Sequence, residues 1–186
     1  PILNLMNTKY IASRTPLSIP GLSEPTQLDG FHIYKNPNAL PWLYLAPQYK
    51  VEKDTDRILG FLANSQSNPS KIVLLEEDPG IAFSGNTSTD GQIQQLAYDA
   101  RQGHIELKTT ASEPRILVIS ENHHPYWHAY VDGKEQPLIR ANYLWKAVAL
   151  PPGEHHVELR YHDPIVAFCR WITLLGTAVL IGGGIV

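Results

Sequence analysis

Hydrophobic and polar positions alternate most cleanly in the second half of the chain. From His104 to Ala111, the residues Ile105, Leu107, Thr109 and Ala111 interleave with His104, Glu106, Lys108 and Thr110. From His155 to His162, Val157, Leu159 and Tyr161 interleave with His156, Glu158, Arg160 and His162. Successive side chains of an extended chain point to opposite faces, so a period of two predicts half-buried antiparallel strands at both places. Ile116–Ile119 is apolar at every position and predicts a central strand covered on both faces. Gly103, Asp132-Gly133 and Pro151-Pro152-Gly153 punctuate these runs at turn positions. Asp132-Gly133 lies between Trp127–Val131 and Gln136–Ile139 and is a specific hairpin signal. Roughly six or seven short strands between Gln92 and Asp163 at this spacing predict a β-sandwich or jelly-roll-like module.

The first half is mixed. Ile2–Ser13 predicts a short helix leading into a strand, and Thr15–Gly30, rich in Pro, Ser and Gly, predicts a loop. Phe31–Tyr34 and Trp42–Leu45 lean to strand around a turn-bearing Asn36–Pro41 connection. Asp54–Ala63 has helix character, with Asp54 or Thr55 able to cap and Ile58, Leu59 and Leu62 on one face. Ile72–Leu75 predicts a strand interior to a sheet. The polar, glycine-rich stretch Asp78–Gly91 divides the blocks and holds an Asn86-Thr87-Ser88 triplet that fits a glycosylation sequon on a surface loop. The expected organisation is a small mixed α/β block over residues 1–90, a β-sandwich-like module over 91–163 and a terminal transmembrane helix over 164–186. The fold class is mainly β with minor α.

That terminal helix follows from composition. Trp171–Val186 is sixteen residues without a charge, and Ile165–Cys169 extends the run across Arg170, which can snorkel to headgroups. Trp171 beside it suits a membrane interface. The alternative, a buried core helix, fits poorly with three consecutive glycines at 182–184. The chain starts at Pro1 and stops inside an apolar run, so an excerpt of a longer protein is expected. With 15 basic and 18 acidic residues the net charge is −3, which argues against a nucleic-acid surface, where a clustered basic stripe is needed. The single cysteine, Cys169, cannot form an internal disulfide.

The densest chemistry lies at His123–Glu135, with three histidines, two tyrosines and a tryptophan. His124 and His128 share parity, and His155 and His156 follow on a later strand, which raises a metal site. Zinc needs three or four converging ligands, and Pro125 interrupts the first pair. Parity places Trp127, Ala129 and Val131 on one face and Tyr126, His128 and Tyr130 on the other, so the apolar set is expected inside and the histidines on the wet face or rim. No metal and no cofactor is expected. Aromatic residues can stack on sugar rings, and Tyr126, Tyr143 and Trp145 are the candidate glycan contacts. Tyr143, Trp145, Ala147 and Ala149 share one face of a strand, and either face could be the inner one. Glu76-Glu77-Asp78 reads as a solvated run rather than paired carboxylates. No nucleophile elbow, phosphate-binding loop, zinc-protease helix or dinucleotide fingerprint is present, and no catalytic residue is expected.

The order of several motifs resembles the C-terminal region of the YfhO family of bacterial membrane proteins. Ser120-Glu121 precedes His124-Pro125-Tyr126-Trp127 and Val131-Asp132-Gly133-Lys134. Ala147-Val148, Pro151-Pro152-Gly153-Glu154-His155 and Tyr161-His162-Asp163-Pro164 follow. Upstream, Leu5–Tyr10 and Ala39-Leu40-Pro41 resemble further family segments. Tyr126 stands where the family usually has Gly, and Trp42 where it often has Arg. The resemblance implies polytopic glycosyltransferases that use lipid-linked sugars, with the catalytic acid on an early outer loop outside this chain. It implies for this segment an extracytoplasmic domain at the bacterial cell membrane, contacting the bilayer through its C-terminal helix and placing a glycan or polymer acceptor. A structural or interaction module of an envelope assembly is the alternative, and a metal-dependent enzyme using the histidines a third.

Overall fold

The computed structural model describes residues 2–83 and 90–183. An antiparallel sheet and a mixed sheet lie face to face, a small third sheet flanks them, and helices cover one outer face. The first helix, α1 (Ile2–Leu5), leads through β1 (Tyr10–Ser13), β2 (Thr26–Leu28) and β3 (Phe31–Lys35), which form a three-stranded sheet in the order β1-β3-β2. β4 (Leu43–Ala46) and β5 (Gln48–Val51) follow, then α2 (Thr55–Ala63), β6 (Ile72–Leu75), β7 (Gln92–Asp99), β8 (His104–Ala111), β9 (Arg115–Asn122) and β10 (Trp127–Val131). The chain closes with β11 (Lys134–Gln136), β12 (Ile139–Ala141), β13 (Trp145–Leu150), β14 (Gly153–Tyr161) and α3 (Pro164–Gly183).

The larger sheets are five-stranded, β11-β10-β14-β8-β7, and six-stranded, β4-β9-β13-β12-β6-β5. The six-stranded sheet takes β4, β5 and β6 from before residue 90 and β9, β12 and β13 from after it, so it spans the division expected there. Its one parallel pair, β5 with β6, is bridged by α2 as a βαβ unit. Between the two sheets lies a core of Ile105, Leu107, Val157 and Leu159 from one sheet and Leu117, Ile119, Val148 and Leu150 from the other. The opposite face of the six-stranded sheet packs Ile116, Val118 and Ala147 against Ile58 and Leu62 of α2 and Leu5 of α1. β9 is therefore buried on both faces, as its unbroken apolar run requires.

Local chemistry explains the boundaries. Asp54 caps α2 by accepting the Arg57 N–H at 3.0 Å. Ile58 and Leu62 are buried one turn apart, whereas Leu59, expected on the same face, is exposed because each residue turns the helix by a further ~100°. The Thr15–Gly30 segment is not all loop: Thr26–Leu28 pairs with Phe31–Ile33 through an Asp29-Gly30 turn with φ of 47° and 78°. Gly103 combines φ of 62° with close approach, since a Cβ there would lie 2.4 Å from the Tyr161 Cβ. The Asp78–Gly91 stretch is tethered at both described ends, by Tyr49 donating to Asp78 at 3.1 Å and by Asp90 pairing with the buried Arg115 and with Ser112. The Asn86-Thr87-Ser88 triplet lies outside the described residues.

α3 begins two residues after β14, with Pro164 in its first turn and Asp163 accepting the Ile165 and Val166 N–H groups at 2.8 and 3.2 Å. Ile165, Val166, Phe168, Trp171, Leu174 and Leu175 are exposed along it. Among the described residues no helix is long and apolar enough to cross a membrane, and the last three residues of the span expected over 164–186 lie outside them. Arg170 interrupts the apolar run of α3.

Candidate functional site

The site is built around β10 and its hairpin. Ala129 and Val131 are sealed in the inter-sheet core and Trp127 packs at its end, while His128 and Tyr130 face outward. Val131 pairs with Lys134 across Asp132 and Gly133, whose φ values of 51° and 75° are those of a type I′ turn. Asp132 does more than turn the chain. Its Oδ1 accepts the His156 N–H at 2.9 Å and its Oδ2 lies 2.7 Å from His155 Nδ1, which holds its carboxyl below the usual range.

The histidines on the outer face of the five-stranded sheet are each matched to one carboxylate. His104 contacts Glu158 at 2.8 Å, His128 contacts Glu135 at 2.8 Å and His156 contacts Glu106 at 2.7 Å. Glu158 also accepts from Arg160, which is the first cause holding its carboxyl low. Among the described residues no three His, Cys, Asp or Glu side chains are grouped to hold a metal ion. His124 stands apart from these pairs and contacts rings instead.

Those rings form a cluster where β10 begins and β14 ends. His124 lies 4.8 Å from Tyr126 and 5.8 Å from Tyr161 between ring centroids, and Tyr161 lies 6.1 Å from Tyr126 and 5.5 Å from Trp127. The edge-to-face and tilted angles suit aromatic quadrupoles. The Tyr126 carbonyl accepts the His162 N–H at 2.8 Å and ties the cluster to the start of α3. The expected glycan contacts do not converge here. Tyr126 belongs to the cluster, and Tyr161, which the sequence reading passed over, joins it with 37% of its surface exposed. Tyr143 is exposed in the turn between β12 and β13 with φ of 76°. Trp145 is 7% exposed and faces the core against α2. A ring sealed there has no face to offer a sugar, which corrects its assignment as a contact.

Beneath Trp127 lies a charged pair that the sequence reading did not identify. Lys146 is fully buried, with Nζ 2.8 Å from Glu121 Oε2 and 3.5 Å from the Trp127 ring centre. Burial pulls its ammonium below the ordinary lysine range, and Glu121 opposes that shift. Glu121 in turn raises the Tyr98 hydroxyl, and Tyr98 meets Trp42 edge-on at 5.1 Å. Nearby on the chain, Ser120 Oγ and His123 Nδ1 are buried without a hydrogen-bond partner among the described residues, and burial lowers the His123 imidazole. The available signal was Lys146 itself, the one charge in the strand Trp145–Leu150. A lysine in a strand covered on both faces requires a partner.

The span from β7 into the first half of α3 contains the hairpin, the ring cluster and the buried pair. A family model described as bacterial membrane protein YfhO matches residues 83–173, just under half of the chain. No curated protein and no solved structure matches.

Proposed function

We propose that this chain, whose residues 83–173 match the family model described as bacterial membrane protein YfhO, is an extracytoplasmic domain that positions an envelope glycan or polymer acceptor at the membrane surface without catalysing its transfer. The observation that carries this reading is the His124–Tyr126–Tyr161 cluster, a set of partly exposed rings beside the first turn of α3. Partly exposed tyrosines with in-plane hydroxyls suit the apolar faces and hydroxyl edges of sugars. The reading of α3 as the beginning of a bilayer-entering helix is supported by its exposed apolar side chains and by its threonines. Thr173 and Thr177 donate to the carbonyls of Cys169 and Thr173 at 2.9 and 2.8 Å, so their hydroxyls need no water.

The test replaces Tyr126 and Tyr161 singly by Ala and titrates envelope polysaccharide and glycolipid fractions by calorimetry. Each change is expected to weaken binding about tenfold, equivalent to ~1.4 kcal/mol, with the thermal midpoint nearly unchanged. Equal binding by the parent and both variants would overturn the reading. A second reading, an interaction module of an envelope assembly, is favoured by edge strand β7, which exposes Leu96 and Tyr98 beside its Gln95–Ala97 bulge. Charged replacements at Leu96 and Tyr98 that abolish assembly while leaving glycan binding intact would favour it.

A further inference from the structure

Where α3 leaves the five-stranded sheet, a cavity of about 590 Å³ opens between the β7–β8 turn and the first two turns of the helix. Arg101 and Gln102 line it from the turn, Tyr161 and His162 from the end of β14, and Val166 and Arg170 from α3. Neither Arg101 nor Arg170 forms a salt bridge or side-chain hydrogen bond among the described residues. The arginines elsewhere in this half of the chain are engaged: Arg115 with Asp90, Arg140 with Glu76 and Arg160 with Glu158. Asp163 also borders the cavity, and its Oδ1 accepts the N–H groups of Ile165 and Val166, so the two arginines leave the cleft with a net positive charge beside this one carboxylate. Two unpaired arginines from different elements thus line one cleft, beside a helix that exposes Ile165, Val166, Phe168, Trp171, Leu174 and Leu175.

Guanidinium forks match phosphate oxygens in geometry and charge, so two unpaired arginines lining one cavity suit a phosphate group. We infer that this cleft takes the phosphate-bearing headgroup of an anionic membrane lipid and thereby fixes the angle at which the domain stands on the bilayer. Arg170 supplies the depth argument. It lies about two helical turns past Asp163, at the boundary between the polar domain and the charge-free run that starts at Trp171. A headgroup there leaves its acyl chains beside Trp171, Leu174 and Leu175, which are exposed. Tyr161 and Val166 cover the apolar side of the cleft, where glycerol carbons would rest. The choice of lipid as the source rests on reading α3 as entering a bilayer, while the phosphate chemistry of the cleft does not.

The test measures partition of the whole chain into phosphatidylcholine vesicles with and without phosphatidylglycerol. Phosphatidylglycerol is expected to strengthen partition of the parent chain, and Arg101→Gln with Arg170→Gln should remove about 30-fold of that gain, taking roughly fivefold per arginine at the headgroup surface. Partition of the double variant into phosphatidylcholine alone should equal that of the parent. Lys50→Gln with Lys53→Gln, which removes two exposed charges far along the chain from the cleft, should keep most of the gain. Equal losses in the two double variants would mean diffuse attraction and overturn the inference, as would a double arginine variant that behaves as the parent does. A second arm titrates glycerol phosphate into the chain in a phosphate-free detergent. Tight binding there, lost with the arginines, would keep the phosphate site and overturn the lipid as its source. Failure of the parent to enter phosphatidylcholine would count against the bilayer reading of α3, and the arginine-dependent difference would still judge the cleft.

Discussion

The six-stranded sheet is covered on both faces, by α1 and α2 on one side and by its partner sheet on the other, whereas the five-stranded sheet is covered on one. The consequences run through every strand. β13 buries nearly all its side chains and β9 every one from Arg115 to Ile119, including Arg115 and Lys146, and each of those charges has a carboxylate partner. β8 and β14 bury every second residue and carry His104, Glu106, Lys108, Glu154, His156 and Glu158 outside as cross-strand pairs in water. The same kinds of charged pair therefore have different weight in the two sheets. A surface pair is screened and worth little, while a buried one cannot lose a partner without leaving a charge dry.

The largest effect is expected in the doubly covered sheet. Leu117→Ala opens a cavity between the sheets and should lower stability by about 4 kcal/mol, read from urea unfolding midpoints at constant slope. Glu121→Gln strands the Lys146 ammonium and should cost about 3 kcal/mol, whereas Glu121→Gln combined with Lys146→Met should fall within roughly 1 kcal/mol of the parent. In the single variant the lysine falls further below its ordinary range in the folded state. The unfolded chain then binds more protons, so stability should rise with pH toward the lysine range, and a flat profile would show that the pair is not buried in solution. Asn142→Ala removes the acceptor for Leu74 N–H at 3.0 Å and the donor to Tyr44 at 3.2 Å, from a residue with φ of 46°, and should cost roughly 2 kcal/mol. The outer face of the other sheet should give the smallest change: His156→Gln is expected within about 0.5 kcal/mol of the parent. An outer-face loss as large as that of Leu117→Ala would end the distinction between the sheets.

Acid titration sharpens the same contrast. Asp132 and Glu158 are both held below the ordinary carboxylate range, the first by its hydrogen bond to His155 and the second by its hydrogen bond to Arg160. A depressed carboxylate contributes stability that is full above the unfolded value, near pH 4, and is lost as pH falls through the lower folded value. Unfolding midpoints should therefore fall on acidification below about pH 4. Asp132→Asn should flatten part of that fall while keeping the turn, because Asn tolerates the left-handed conformation and retains an acceptor for the His156 N–H.

What could be read from the sequence follows the division between the sheets. Alternation at His104–Ala111 and at Val157–Tyr161 marks faces that differ in wetness, and Asp132-Gly133 has only one geometry that fits a tight hairpin. The inward set at Trp127, Ala129 and Val131 follows from the same parity. Where both faces are covered, the pattern cannot say which side a residue takes, and Trp145 was open to misassignment for that reason. Asp29-Gly30 carries the same signal as Asp132-Gly133, but it is preceded by a three-residue strand with every side chain exposed, and no alternation frames it. Pairings between distant residues were out of reach: Lys146 with Glu121, Tyr126 with Tyr161, Arg101 and Arg170 on one cavity, and β4 and β6 with strands beyond residue 90. Each depends on register across sheets, which no local period encodes.

The two-residue join between β14 and α3 sets how the domain bears mechanical load. β14 is an interior strand, hydrogen-bonded to β8 along Gly153–Arg160 and to β10 along Val157–Tyr161. Tension drawn through α3 along the strand axis would load both ladders in shear, so that many hydrogen bonds would have to fail together rather than one at a time. An edge strand in the same position would unzip from its end. The sheet's strongest mechanical axis thus coincides with the place where the chain is tied to its helix.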